Sequence, residues 1–204
     1  MIKQLKIYNV GEKIRIGNTY DGGYVLPKQS IDQSECLFSY GINNDITFDE
    51  HYIKLTNRSV YGYDHTIEDV ATNYPYLFTL YNKGLSGTAQ EETDNFLVHY
   101  EQLGIKGRVL LKVDVEGCEY DWLENTNIEQ LAKITTGLVL EVHFIDQNDI
   151  RQKFINCLEK LNKHFYLCHI HGNNYGYVFN YQGHNVPMVL DGIVTGKQIG
   201  RAHV

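Results

Sequence analysis

Two carboxylates stand at the point where a long apolar segment ends. Residues 109–115 are apolar and rich in β-branched side chains, which predicts a buried strand that ends near Asp114 and Glu116. Gly117 lies where the apolar spacing changes to that of a helix, so the backbone is predicted to turn there. Carboxylates at the carboxyl end of a central strand are costly to desolvate unless they meet donors, cations or a substrate. Glu116 could equally cap the following helix, whereas the position of Asp114 inside the apolar run favours a function.

A second pair of ionisable side chains, Glu141 and His143, lies in the strand predicted over residues 137–144. Strand side chains alternate, so both should lie on one face of the sheet. His143 fits a general base with a pKa near neutral pH, and Glu141 is its candidate partner. A strand predicted over residues 165–170 leads to a further histidine at the same edge. The candidate catalytic residues are therefore Asp114, Glu116, His143 and His171.

The same side chains offer a second kind of chemistry. Carboxylate oxygens together with imidazole suit Mg²⁺, Mn²⁺ or a softer ion. A divalent cation would acidify an acceptor hydroxyl and so replace the general base. The ligands would come from different strands, so the spacing along the chain leaves base and metal as open alternatives. The candidate metal ligands are Asp114, Glu116 and His143.

Two further positions have the spacing of a nucleotide-binding unit. Gly41 follows a strand predicted over residues 36–40, and Asp64 ends a strand predicted over residues 59–63. A glycine there lets a ligand approach the backbone, and an acid about 20 residues later can hold a ribose diol. The dinucleotide fingerprint of three glycines is absent. Asp64 could instead cap a helix predicted over residues 66–73, but position and spacing together favour the ribose.

Strand and helix patterns alternate along most of the chain, which predicts one α/β domain over residues 1–190. Residues 177–179 and 186–190 are predicted to be its last strands. Residues 191–204 lack an amphipathic period and have little core character, so we interpret them as an atypical tail of altered or vector-derived sequence.

Composition limits the classes of partner. The 204 residues include 18 basic and 25 acidic ones, for a formal net charge of −7, and no basic stripe is visible, so we expect no nucleic-acid partner. No signal peptide and no apolar run long enough to cross a bilayer is visible, which predicts a cytoplasmic protein without a membrane span. Cys36, Cys118 and Cys157 lie in apolar patterns and are predicted to be buried free thiols.

Five segments together resemble the S-adenosylmethionine-dependent methyltransferases of the FkbM-like group. The resemblance extends from about residue 15 to residue 190, and its most specific part is the Lys-Val-Asp-Val-Glu-Gly sequence at residues 112–117. The usual glycine-rich loop is partly replaced here by Asn43 and Asn44. The five segments are residues 21–24, 39–45, 61–64, 111–120, and 140–143 together with 171–174.

The resemblance implies an α/β fold of the Rossmann-like class I methyltransferase type, with a mostly parallel seven-stranded sheet and helices on both faces. It also implies S-adenosylmethionine as the cofactor, lying across the strand ends. The loop after Gly41 should face its methionine part, Asp64 its ribose and residues 85–86 its adenine, while residues 21–24 close over it. The cofactor-binding residues expected on this basis are Asp21, Gly22, Gly23, Tyr24, Tyr40, Gly41, Asn43, Asp45, Asp64, Leu85, Ser86 and Asp114.

Members of the group are commonly O-methyltransferases that act on sugars or other natural-product hydroxyls, several of them in capsule pathways. The resemblance therefore implies O-methylation of a sugar, a glycan, or a phosphorylated or nucleotide-linked glycan precursor in capsule polysaccharide biosynthesis. The 16 tyrosines and the polar residues 171–174 also favour a hydrogen-bonding pocket for a small-molecule or glycan-precursor acceptor. The residues expected to bind the acceptor are Glu141, Asn173 and Asn174.

Two other classes of protein remain open. A nicotinamide-dependent oxidoreductase with a Rossmann-like fold is disfavoured by the missing glycine fingerprint. A non-catalytic S-adenosylmethionine-binding domain would carry few polar groups at its strand ends, whereas this chain carries many. The sequence gives no indication of the oligomeric state.

Overall fold

A seven-stranded sheet forms the centre of the computed structural model, which describes residues 1–174 and 176–197. The strands along the chain are β1 (Lys13–Gly17), β2 (Gly23–Pro27), β3 (Leu37–Tyr40), β4 (Val60–Tyr63), β5 (Phe78–Tyr81), β6 (Gly84–Leu85), β7 (Thr93–Asp94), β8 (Val109–Val113), β9 (Thr135–Val142), β10 (Phe165–Gly172), β11 (Val178–Tyr181), β12 (His184–Pro187) and β13 (Leu190–Gly196). The helices are α1 (Lys28–Asp32), α2 (Thr47–Thr56), α3 (Phe96–Gln102), α4 (Glu119–Asn125), α5 (Ile128–Ile134) and α6 (Asn148–His164), and a 3₁₀ turn covers Ile2–Gln4.

The order of the strands across the central sheet is β10-β13-β9-β8-β3-β4-β5. Neighbouring strands from β9 to β5 are parallel, and β13 runs antiparallel between β9 and β10. The chain proceeds from β3 outward through β4 to β5 and then returns to β8 on the other side of β3. The strand order therefore reverses between β3 and β8, which is where open α/β sheets bind ligands. The predicted Rossmann-like, mostly parallel seven-stranded sheet is confirmed.

Helices pack on both faces of this sheet because its central strands are apolar on both faces. One core contains buried side chains of β1, β2, α1 and α2, and the other contains those of α3 to α6. Adjacent residues of β8 belong to different cores, Leu110 to the first and Leu111 to the second. In the described part of the chain, no helix is both long and apolar enough to cross a membrane.

Two stretches fold differently from the sequence prediction. Residues 66–73 form a loop rather than the predicted helix, and the turn at its start is held by the Asp64 carboxylate. Strands do form near the predicted residues 177–179 and 186–190, but Val178–Tyr181 and His184–Pro187 make the β11–β12 hairpin outside the central sheet, and Leu190 begins β13. The helix was wrongly predicted because a short polar stretch carries little periodic signal, and the partner of a short strand is not determined by its local pattern.

The last strand of the sheet lies beyond the domain boundary predicted at residue 190. Residues 191–196 belong to β13, whose neighbours on either side are β9 and β10, and Ile193 and Val194 are buried in it. The prediction of a tail with little core character is therefore wrong for these residues. Two glycines and an aspartate interrupt the apolar run and conceal the strand. The remainder of the predicted tail, residues 198–204, lies outside the described residues.

The cysteine predictions are confirmed at two positions and wrong at a third. Cys36 and Cys157 are free and buried, as predicted. Cys118 is exposed and lines a cavity just before α4 begins. Its apolar neighbours belong to the buried face of that helix, but the residue itself lies in the turn that precedes the helix.

Candidate functional site

A cavity of about 650 Å³ opens at the carboxyl ends of the parallel strands. It lies where the strand order reverses, because the loops after β3 and β8 diverge there and leave a crevice between them. Its size is within the range of about 300–1,000 Å³ that is usual for small-molecule sites. The predicted site residues that line it are Asp21, Gly22, Gly41, Asn43, Asp45, Asp64, Leu85, Ser86, Asp114, Glu116 and Glu141.

The loop after β3 begins at Gly41, whose φ of +76° favours glycine. A Cβ at this position would lie 1.5 Å from the carbonyl oxygen of Asp114. The sheet fixes this approach, since the Asp114 amide donates to the Tyr40 carbonyl at 3.2 Å and the Gly41 amide donates to the Tyr63 carbonyl at 3.1 Å. The sequence predicted a glycine that admits a ligand to the backbone, and the structure adds a requirement of strand packing at the same residue.

Asp64 joins the loops that follow β3 and β4. Its Oδ2 accepts a hydrogen bond from the Asn43 amide at 2.9 Å, and its Oδ1 accepts from the Thr66 amide at 2.8 Å and the Thr66 hydroxyl at 2.6 Å. Burial raises the pKa of this carboxyl, but the hydrogen bonds outweigh burial and lower the pKa below its ordinary value. A carboxylate oxygen accepts about two hydrogen bonds, so Oδ2 can still receive a ligand hydroxyl.

Apolar surface and hydroxyls alternate in the rest of the wall. Leu85 and Ser86 are buried and line the cavity, as the sequence predicted. Ile42 and Phe48 also line it, and they were not predicted because their pattern in the sequence is that of ordinary core residues. A wall of this kind can hold the face of a flat ring while its hydroxyls bind the polar edge.

Lys112 is a cavity-lining residue that the sequence prediction missed. Its ammonium donates to the carbonyl of Gly41 at 3.2 Å and to Oδ2 of Asp114 at 3.4 Å. Burial raises the pKa of Asp114, and the nearby Lys112 ammonium only partly opposes that effect. A charge in the middle of an otherwise apolar strand was the signal that could have identified Lys112.

His143 lies immediately behind the cavity wall at the centre of a group of carboxylates. Its Nε2 is 3.3 Å from Oε1 of Glu141, 3.5 Å from Oε2 of Glu116 and 3.8 Å from Oδ1 of Asp114. The predicted metal ligands were Asp114, Glu116 and His143. In the structure, Asp114, Glu141 and His143 each offer a ligand atom, and the three atoms lie within 4.8 Å of one another. Glu116 is the outlier, since its side chain is 80% exposed at a residue with φ of +50°.

The surroundings of His143 change the role predicted for it. Burial alone would lower its pKa, but hydrogen bonds and charges from Glu119 and Glu141 raise the pKa to about 10. The prediction of an imidazole with a pKa near neutral pH is therefore wrong for this arrangement. The imidazole is protonated at neutral pH and is paired on both ring nitrogens.

The two carboxylates that face the ring nitrogens of His143, Glu119 and Glu141, are each held by a further hydrogen bond. The fully buried Glu119 accepts from the His143 amide at 2.8 Å and faces Nδ1 of the same residue at 3.3 Å. Glu141 accepts from the Tyr24 hydroxyl at 2.9 Å and from the Asn173 amide group at 3.0 Å. Glu119 was missed by the sequence prediction, because a helical acid close to a helix start is usually a solvated or capping residue.

Several predicted site residues lie outside the cavity wall. The hydroxyl of Tyr40 pairs with Nδ1 of His99 at 2.9 Å in the core. His171 lies 2.8 Å from Asp191, whose neighbour in the sheet register is Glu141. Asn174 donates to a backbone carbonyl in the turn between β1 and β2. The predicted residues that do not line the cavity are Gly23, Tyr24, Tyr40, His143, His171, Asn173 and Asn174.

Comparison with known proteins gives a match to one family and to solved structures of low identity, two of which are described here. A family model described as the methyltransferase FkbM domain matches residues 18–179, a range that contains every cavity-lining residue. A proposed rRNA-methylase from Clostridium thermocellum is 9% identical, with 81% of this chain and 88% of that chain covered and a TM-score of 0.45. The fibrillarin pre-rRNA processing protein of Methanococcus jannaschii is 10% identical, with 93% of this chain and 84% of that chain covered and a TM-score of 0.49. A search among curated proteins finds no match.

Proposed function

We propose that this chain, which belongs to the methyltransferase FkbM domain family, transfers the methyl group of S-adenosylmethionine to a hydroxyl of a sugar or glycan precursor. The observation that carries the proposal is the cavity at the reversal of strand order, with Gly41, Asp64 and Asp114 on three adjacent strand ends. The cofactor supplies a methyl group that its sulfonium already activates. The protein must therefore hold two ligands in line and accept a proton from the acceptor.

The residues around the cavity fit the parts of that cofactor. Asp64 keeps an acceptor position at Oδ2, which suits a ribose hydroxyl. Leu85 and Ser86 offer an apolar surface and a hydroxyl, which suit the adenine ring. Asp21 and Gly22 line the cavity, which suits a turn that closes over the cofactor, and Asn173 donates to Oδ1 of Asp21 at 2.9 Å.

The acceptor is proposed to bind beside Glu141, with Asn173 and Asn174 orienting its hydroxyls. A sugar or glycan suits such hydrogen-bonding groups better than a flat apolar ring does. Phosphorylated or nucleotide-linked precursors belong to the same proposal, in capsule polysaccharide biosynthesis. Acidic side chains crowd this part of the wall, so a phosphate of such a precursor would have to stay clear of Asp114 and Glu141.

We further propose that Asp114, Glu141 and His143 hold a divalent cation, Mg²⁺ or Mn²⁺, with Glu116 as a fourth candidate ligand. The partners of His143 support this assignment, since a metal-binding histidine commonly donates a hydrogen bond from its other ring N–H to a carboxylate, as the Nδ1–H of His143 can to Glu119. A cation would take the place of the proton on Nε2. Its charge would also offset the crowded carboxylates and favour loss of the acceptor proton.

A transfer assay tests the proposed reaction. The protein is incubated with S-adenosylmethionine labelled on its methyl group and with a panel of sugars, sugar phosphates and nucleotide sugars. The expected product carries the label as a methyl ether, and His143→Ala should lower kcat far more than it changes affinity for S-adenosylhomocysteine. Label on nitrogen would refute O-methylation, and a His143→Ala variant with near-normal turnover would remove His143 from the mechanism.

A binding screen tests the cofactor separately from the acceptor. Thermal unfolding is measured with S-adenosylmethionine, S-adenosylhomocysteine and NAD, since a ligand that binds the folded state raises the melting temperature. The two sulfur-containing ligands are expected to stabilise the protein and NAD is not. Stabilisation by NAD alone would favour the oxidoreductase alternative, and cofactor binding without any transfer would favour a non-catalytic domain.

A further inference from the structure

Lys112 has a place in the cavity that the proposed reaction does not yet use. Among the described residues that line the cavity, it is the only lysine or arginine. The carboxylates in the same wall include Asp45, Asp64, Asp114 and Glu141. The wall is thus strongly acidic, with one fixed cation on the floor of the cavity.

Burial of the Lys112 ammonium costs free energy that its interaction partners must offset. The residue lies in the central strand β8 and is 5% exposed, and a buried ammonium is unfavourable without partners. Its Nζ makes two hydrogen bonds, to the Gly41 carbonyl at 3.2 Å and to Asp114 at 3.4 Å. An ammonium has three donors, so these contacts leave a third that can point to a ligand in the cavity.

We propose that Lys112 binds the carboxylate of the methionine part of the cofactor. The inference rests on the proposed use of S-adenosylmethionine. That molecule carries an ammonium and a sulfonium, which an acidic wall attracts, and one carboxylate, which the same wall repels. The carboxylate therefore needs the one fixed cation. Lys112 holds the carbonyl of Gly41, and Gly41 opens the loop that is expected to face the methionine part.

A purely structural role makes a different prediction. Lys112 also lies among the carboxylates of Asp49 and Asp114, and it could serve only to offset their charge. In that case, removal of the ammonium would disturb the cavity for every ligand to a similar extent. Removal of a cofactor contact would instead affect only ligands that carry the carboxylate.

Calorimetry with two ligands separates these roles. The ligands are S-adenosylhomocysteine and its decarboxylated analogue, and the variants are Lys112→Met, Lys112→Arg and the control Lys133→Met, whose lysine forms an exposed ion pair with Glu129. The wild-type protein should bind S-adenosylhomocysteine about 10-fold or more tightly than the analogue, as expected for a charge-assisted hydrogen bond. Lys112→Met should lose about that factor for S-adenosylhomocysteine and less than about 2-fold for the analogue. Lys112→Arg should retain part of the preference, and Lys133→Met should retain all of it.

Two results would overturn the proposal. One is an equal loss of affinity for both ligands in a folded Lys112→Met variant, which would assign Lys112 to support of the cavity. The other is equal binding of both ligands by the wild-type protein, and this result decides the matter even if Lys112→Met does not fold. If the wild-type protein binds neither ligand, the use of S-adenosylmethionine fails together with the proposal, whereas equal binding of both leaves that use intact.

Discussion

Gly41→Ala should destabilise the protein far more than a glycine-to-alanine substitution at another residue with a similar positive φ. The φ of +76° at Gly41 is left-handed, and an L-residue there costs about 1–2 kcal/mol. The new Cβ would also lie 1.5 Å from the Asp114 carbonyl oxygen, so β8 or the loop must move. Movement would disturb the hydrogen bond from the Asp114 amide to the Tyr40 carbonyl. We expect a total loss of about 3–5 kcal/mol in the free energy of unfolding.

Gly104→Ala is the matched control. Gly104 has a φ of +65°, and an added Cβ would meet nothing within 4 Å, so only the backbone strain of about 1–2 kcal/mol remains. For a protein of this length, 1 kcal/mol corresponds to roughly 2–4 °C in melting temperature. Gly41→Ala should therefore lower the melting temperature by roughly 6–20 °C and Gly104→Ala by roughly 2–8 °C.

Thermal unfolding followed by circular dichroism, with urea unfolding for the free energies, measures both variants. Similar losses for the two would refute the packing argument, because strain alone would then account for Gly41. If Gly41→Ala keeps the wild-type free energy of unfolding but no longer binds S-adenosylhomocysteine, the packing argument would also fail. Gly41 would then only let the ligand approach the backbone, as the sequence predicted.

Three further predictions follow from named contacts. Asp64→Ala should weaken S-adenosylhomocysteine binding by about 1–3 kcal/mol in calorimetry, and unchanged affinity in a folded variant would remove Asp64 from the site. Turnover should fall with EDTA and return with Mn²⁺, and full turnover in EDTA would favour a metal-free mechanism. In electron paramagnetic resonance, Glu141→Gln should weaken Mn²⁺ binding, whereas the control Glu159→Gln on the surface of α6 should leave it unchanged. Burial lowers the pKa of His99 to about 4, below the value of about 6.5 in the unfolded chain. Between these two pH values the unfolded state binds more protons than the folded state. Up to about 3 kcal/mol in the free energy of unfolding should therefore be lost as the pH falls from about 6.5 to 4. His99→Gln should flatten that part of the stability curve, and an unchanged curve would contradict the assignment.

The central strands could be predicted because their signal is local. Residues 109–113 and 135–142 are buried throughout, and a strand covered on both faces appears as a continuous apolar run. The carboxyl ends of such strands carry Asp114 and His143, so the position of the site followed from the positions of the strands. The shared face of Glu141 and His143 followed in the same way from alternation, and their 3.3 Å contact confirms it.

The remainder of the site depends on contacts between distant parts of the chain, which local patterns do not encode. Glu119 reaches His143 across 24 residues of sequence, and Tyr24 reaches Glu141 across 117. Neither Glu119 nor Tyr24 has a neighbour in the sequence that reveals such a partner. The pKa of His143 could not be predicted for the same reason, because it is set by carboxylates that only the fold brings together.

The hydrogen-bond network behind the cavity limits which side chain could act as general base in the proposed reaction. His143 is paired on both nitrogens, and Glu141 accepts hydrogen bonds from Tyr24 and Asn173, so both side chains are held in place by several partners. Rigid positioning of this kind suits methyl transfer, because the methyl group is already activated and correct orientation lowers the barrier by several kcal/mol. The same rigidity prevents the imidazole from accepting a proton while it keeps its own. In the proposed reaction, proton removal would then fall to a less tightly paired group, such as the exposed Glu116, or would follow from a cation in place of the proton on Nε2.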